Sequence, residues 1–295
     1  MLYVTQPCRK LTVLGYESLP TQQQSKFTRG EFTGLGQALI VAMFQEETDL
    51  KNGNIGLNSK GQVIKIDGDR AFASLSDAVC EFSITPESIG RLLKPDFTTV
   101  YWLDTIYCGG KQPKSSIVDL ELENSPHFRS EANQAMLKIC LMSDKFIEHF
   151  VKAYISSEDS AEYIQLMMNR RDQLKTSALQ NESFKEYLKT PQAYLDADSL
   201  LAQIKTMRAN GAIQTILSPE QCYEEEQYIR AQMDILNPEK KALNELKMQN
   251  QELIGKILEH HEKSSDQPLL EYAQMMRIKM LGSEENFTAL SEIKQ

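Results

Sequence analysis

The stretch Asp49-Leu-Lys-Asn-Gly-Asn-Ile-Gly-Leu-Asn-Ser-Lys-Gly-Gln-Val-Ile-Lys-Ile-Asp-Gly-Asp69 decides the architecture of this 295-residue chain. Two short apolar runs, Ile55-Gly-Leu57 and Val63-Ile-Lys-Ile66, flank Asn58-Ser-Lys-Gly61. Asn and Gly supply the backbone angles that a tight reversal needs, so strand, turn and return strand are expected here. Such a hairpin brings residue 67 back beside residue 54. The oxygen-bearing groups of Asp49, Asn54 and Asp67 are then expected to converge at one end of it. A few carboxylates, an amide oxygen and a phosphate make the donor set that a hard cation such as Mg2+ takes. Lys51 would place a positive charge beside that phosphate. A second reading stays open, because Asp, Asn and Gly are also favoured in turns for backbone reasons alone.

Upstream of this stretch, Thr33 is a candidate N-cap for a helix running to about Glu47, with Leu35, Leu39, Ala42 and Met43 on one face. Gly34-Leu-Gly36 lacks the third glycine of a phosphate-binding loop and opens a helix, so it reads as a helix entry. Leu11-Thr-Val-Leu14 is the best strand candidate nearer the start, and Thr85-Pro-Glu-Ser88 reads as a helix start. From Pro126 the helical period takes over. Ala132, Ala135 or Met136, Ile139, Phe146, Phe150 and Tyr154 are expected on one face of a single long helix, and a second runs from Ser157 to about Gln180. Further helices are expected to start near Pro191, Pro219, Pro238 and Pro268, since proline is favoured at the first helical position.

Composition agrees with this division. Eleven of the 14 glycines fall within residues 1–124, and ten of the 12 methionines fall after it. Glycine marks turns and methionine forms helices well, so a turn-rich first part and a helical second part are expected. The fold class is therefore α+β, mainly α, with domains 1–124 and 125–295. Thirty-two Lys and Arg against 41 Asp and Glu leave a net charge of −9, which argues against a nucleic-acid partner held by phosphate contacts. The five scattered cysteines form no CxxC pair, so neither a disulfide framework nor a structural zinc site is expected. The longest apolar run, Ala38 to Phe44, is too short to span a bilayer, and the first residues lack a basic-then-apolar signal.

In the residues Asp49-Leu50-Lys51-Asn52-Gly53-Asn54 the chain resembles the protein and phosphoinositide kinase superfamily, whose catalytic loop has the form D-L-K-x-x-N. Asp67-Gly68-Asp69, after the strand Val63-Ile-Lys-Ile66, resembles that family's metal-binding D-F-G, and the Ile-Asp-Gly wording is closest to its lipid-kinase and atypical branch. The resemblance implies a large-lobe-like N-terminal part with a small hairpin, followed by an all-helical domain. It implies Asp49 as the catalytic carboxylate, Lys51 as a catalytic and nucleotide-phosphate contact, and Asn54 and Asp67 as metal ligands. Asp69 is a further candidate ligand or a solvated charge. The implied cofactors are Mg2+ and ATP, and the implied reaction moves a nucleotide phosphoryl group to a protein or lipid hydroxyl. Glu47-Thr48 stands where the family has His-Arg, and only 32 residues precede the helix, too few for a complete small lobe. A catalytically inactive, pseudokinase-type interaction module that captures a protein partner through its helical half is therefore the alternative.

GNIG followed by KIDGD also resembles kinase-like type IV secretion effectors of intracellular bacteria. That likeness implies a cytoplasmic protein, or one exported without a signal peptide into a host cell. Outside these motifs, Arg170-Arg171 could grip a phosphate, with a solvated face or an intrachain carboxylate pair as the plainer expectation. Leu243, Leu246, Asn250, Leu253 and Ile257 suggest a bundle core or a short coiled-coil seam.

Overall fold

A computed structural model describes residues 12–13, 26–47, 55–65, 71–76, 83–92, 122, 124–156, 158–209 and 214–238, with position 212 and scattered positions from 241 to 256. It is mainly helical with one small antiparallel sheet, the α+β, mainly α, class expected. The helix read from 33 to 47 is α1, Leu35–Phe44. Eight of its ten residues are buried, Ala38 and Ile40 among them, so it is a central helix and not an amphipathic surface one. α3 (Pro86–Leu92), α4 (Pro126–Cys140), α6 (Ser160–Ala178) and strand β3 (Val63–Lys65) pack around it.

The hairpin forms as read. β2 (Ile55–Leu57) and β3 pair antiparallel with Ile55 opposite Lys65 and Leu57 opposite Val63. Asn58 fixes the turn: its Oδ1 accepts the Lys60 and Gln62 amides at 2.9 Å each, while Gly61 takes φ 74°. A third strand, β1 (Thr12–Val13), pairs with β2, giving the order β1-β2-β3. A short helix α2 (Ala73–Ser76) follows the sheet. α3 begins with a reciprocal cap, in which Thr85 Oγ1 accepts the Ser88 amide at 3.1 Å and Ser88 Oγ accepts the Thr85 amide at 2.9 Å.

Thr33 does not cap α1. Its amide donates to the Gly61 carbonyl at 3.0 Å and its carbonyl accepts from Val63 at 2.7 Å, which ties the helix entry to the hairpin turn. The cap position is Gly34 at φ 92° with no side-chain bond of its own. Glu131 of α4 takes that role instead, accepting the Gly34 amide at 2.6 Å and the Gly36 amide at 3.1 Å. A Cβ on Gly36 would sit 2.6 Å from the Phe128 carbonyl, so glycine lets α1 and α4 cross backbone to backbone.

The helical region starts where proline and a cap coincide: Ser125 caps α4 with Pro126 at the first position, accepting the Phe128 amide at 3.3 Å. The expected single helix from 126 to 154 is two. α4 ends at Cys140, and α5 (Asp144–Tyr154) restarts on Ser143, whose Oγ accepts the Phe146 amide at 2.9 Å. α6 matches the helix expected from 157. A seven-residue helix α7 (Glu182–Leu188), capped by Asn181, precedes α8 (Pro191–Thr206) and α9 (Pro219–Leu236). α4 packs against α6, α7 and α8.

The chain divides into two compact units, 1–233 and 234–295. Position 124/125, read as a domain boundary, falls inside the first, where α1 and α4 pack together. In the second unit the described positions from 238 to 256 are helical, with i,i+4 ion pairs Lys241–Glu245 and Glu252–Lys256. Leu253 of the suggested seam is exposed; Leu243, Leu246, Asn250 and Ile257 and the start near Pro268 lie outside the described residues.

Candidate functional site

Asp49, Lys51, Asn54, Asp67 and Asp69 lie outside the described residues. The residues that bracket them are described, and they meet. Glu47, two residues before Asp49, lies just past the end of α1. Ile55, directly after Asn54, begins β2. Lys65, two residues before Asp67, ends β3. Ile55 and Lys65 are cross-strand partners, and Lys65 Nζ lies 2.7 Å from Glu47 Oε2. The end of α1, the start of β2 and the end of β3 therefore share one corner of the molecule.

That corner is built from buried charge. The Glu47 and Lys65 side chains are 0% and 4% exposed, so the pair sits in a low-dielectric interior where an unpartnered member would be strongly disfavoured. Beside it, Glu46 and Arg170 of α6 form a second buried pair at 2.6 Å, each 2% exposed. Arg170 also donates from Nε to the Phe44 carbonyl at 2.7 Å and from Nη2 to the Met43 carbonyl. These carbonyls lie in the last turn of α1, where a cation complements the helix dipole. Ser74 completes the set: its amide donates to Glu46 Oε2 at 3.2 Å and its hydroxyl donates to the same oxygen.

The backbone at this end is unusual. The Glu46 amide donates to Met43 at 3.2 Å and the Glu47 amide to Ala42 at 2.9 Å, the two bonds of a Schellman ending. Such an ending needs a left-handed residue and usually has glycine there. Here it has Glu46 at φ 50°. A non-glycine residue held in that region is favoured only where the surroundings over-determine it, and Arg170 and Ser74 do so through the Glu46 carboxylate.

Sequence reasoning missed Glu46, Glu47, Lys65 and Arg170 as members of this corner. A signal existed: two consecutive acids one residue past a mostly apolar helix, and a single Lys inside the apolar run Val63-Ile-Lys-Ile66. Their pairing was not readable, because Arg170 is 124 residues from Glu46. For Arg170-Arg171 the expected intrachain carboxylate pairing is present in both. Arg171 Nη1 bonds Asp144 Oδ1 at 2.6 Å and the Met142 carbonyl at 2.9 Å, and Arg171 pairs with Asp172.

Burial pushes the Cys140 thiol up to about 12 and raises Cys222 as well, so neither is a ready thiolate. Burial also raises Glu131, against the lowering effect of the Gly34 and Gly36 amides that bind it. Among the described residues no three His, Cys, Asp or Glu side chains are grouped to hold a metal, and no helix is long and apolar enough to cross a membrane. No family model, curated protein or solved structure matches the chain.

Proposed function

We propose that this chain is a kinase-like, Mg2+-dependent phosphotransferase that moves a nucleotide phosphoryl group to a protein or lipid hydroxyl. In this reading α1 is the helix that precedes the catalytic loop of a kinase-like large lobe, and β2–β3 is the hairpin that carries the metal-binding residue. Asp49 orients the acceptor hydroxyl and Lys51 contacts the phosphates. Asn54 and Asp67 hold the metal, with Asp69 as a further oxygen donor. The bound cation would neutralise charge on the transferring phosphoryl group.

The observation that supports the reading is the buried Glu47–Lys65 pair together with the Ile55–Lys65 register, which joins the ends of the two motif-bearing segments. A metal site split between a loop and a strand needs that junction. The donor set also fits: one amide oxygen and one or two carboxylates suit a hard cation, and no soft ligand is among them. Glu46 pairs with Arg170 and Glu47 with Lys65, so the two buried acids of this corner are already matched by cations.

Calorimetric titration of the full chain with ADP and Mg2+ tests this. Metal-dependent binding by the wild type, lost in Asp67→Ala, is expected. A wild-type chain that binds no nucleotide contradicts the enzyme reading and favours the pseudokinase-type interaction module.

A further inference from the structure

We infer that His149 is a proton-operated latch on the start of α9. Neutral, it accepts a hydrogen bond from Gln221 and holds that side chain in its capping geometry; protonated, it releases Gln221 and turns its charge to the unpartnered carboxylate oxygen of Glu225. The latch requires neither nucleotide nor metal, so it holds whether or not the chain is a phosphotransferase.

α9 opens with a reciprocal cap. Ser218 Oγ accepts the Gln221 amide at 3.3 Å, and Gln221 Oε1 accepts the Ser218 amide at 2.8 Å. The second bond orients the Gln221 side chain, so its Nε2, which can only donate, meets His149 Nε2 at 2.8 Å. His149 Nε2 therefore accepts, which leaves the ring proton on Nδ1 and the imidazole neutral. A second ring proton would set donor against donor and break this bond. One helical turn further along α9 lies Glu225, 3% exposed. Ser143 donates to its Oε1, while its Oε2 is buried with no hydrogen-bond partner among the described residues. Burial raises the Glu225 carboxyl above its ordinary range, against the Ser143 bond and the nearby His149 and Lys145. The other charged groups around this contact have partners. On α5, Lys145 pairs with Glu224 of α9 and Glu148 with Lys152. On α8, Lys205 pairs with Glu226 of α9, and on α6 Arg171 pairs with Asp144 and Asp172. Burial raises the Cys222 thiol and the Tyr228 hydroxyl, which keeps both neutral. Glu225 is thus the carboxylate left to receive an imidazolium from His149.

The test is NMR of the full chain from about pH 8 to about pH 5, following the His149 ring and the protection of the Ser218 amide from hydrogen exchange. Ser218 protection is expected to fall about tenfold or more on acidification, with the same midpoint as the His149 ring. Glu225→Gln removes the receiving charge and is expected to move both midpoints together to lower pH by about 1 unit. Gln221→Glu, whose carboxylate accepts from the Ser218 amide and from an imidazolium alike, is expected to keep Ser218 protected in acid. Ser218 protection that ignores the His149 titration in the wild type overturns the latch without recourse to any variant. Midpoints unmoved by Glu225→Gln, or loss of protection in acid that persists in Gln221→Glu, overturn it as well.

Discussion

The two ends of α1 are closed by opposite charges from distant helices. At its start Glu131 of α4 lies across the Gly34 and Gly36 amides; at its end Arg170 of α6 lies across the Met43 and Phe44 carbonyls. Both placements suit the helix dipole, which favours an anion at the first turn and a cation at the last. The difference is in what accompanies the charge. Glu131 is bonded by backbone amides, so the start of α1 is filled by the chain's own carboxylate. Arg170 is bonded by carbonyls and by Glu46, with the Glu47–Lys65 pair next in line. One end of the helix is finished by a local cap from outside. The other opens into a network of buried charge that lies next in sequence to the Asp49–Asn54 motif.

This contrast can be broken by substitution, and the ends should respond unequally. Arg170→Met is expected to have the largest effect, about 3–5 kcal/mol of lost stability in chemical unfolding, because Glu46 would stay buried without a counter-charge. Glu46→Gly comes next. Glycine suits φ 50° and would relieve about 1 kcal/mol of backbone cost, yet Arg170 would lose its carboxylate, for a net loss of about 2–4 kcal/mol. A gain in stability from Glu46→Gly would show that the pair contributes nothing.

At the other end, Gly36→Ala should cost about 1–3 kcal/mol by forcing α1 and α4 apart, although alanine ordinarily favours a helix over glycine by about 1 kcal/mol. Glu131→Gln should cost least, about 1 kcal/mol, since an amide oxygen still accepts one of the two bonds. Its size should depend on pH. Burial raises Glu131 above its ordinary 4.5, so the folded protein binds the proton more tightly than the unfolded chain. Stability contributed by that proton is full below about 4.5 and is lost as pH rises through the higher folded value. Unfolding midpoints across this range should therefore show the wild type losing ground to Glu131→Gln as pH increases. A constant difference would mean that the carboxyl is not held above its ordinary value.

The features legible in the sequence are those whose causes lie within a few residues. Asn58 and Gly61 make the hairpin turn by themselves, and Ser125-Pro126 and Thr190-Pro191 mark helix starts by local capping. The break between α4 and α5 escaped notice because Ile139 and Phe146 are seven apart and keep the same helical phase across it, while Ser143 supplies a cap in between. α7 is only seven residues long, too short for its period to stand out. Thr33 looked like the cap of α1 from its position alone, and the carboxylate that displaces it comes from 97 residues away. The same reach explains the candidate site. Its motif could be read in one stretch, but the buried charges beside it depend on pairings such as Glu46–Arg170 that composition and spacing do not encode.

The central claim is that the loop after α1 and the strand end of β3 hold one metal–nucleotide complex between them. Mn2+, which occupies Mg2+ sites and broadens nearby resonances, tests this directly when titrated with ADP into the isotopically labelled chain. The account predicts selective loss of the amide signals of Glu47, Ile55 and Lys65, with those of α8 and α9 retained. Broadening that is absent, or that falls on α8 and α9 while those three amides stay sharp, would contradict it.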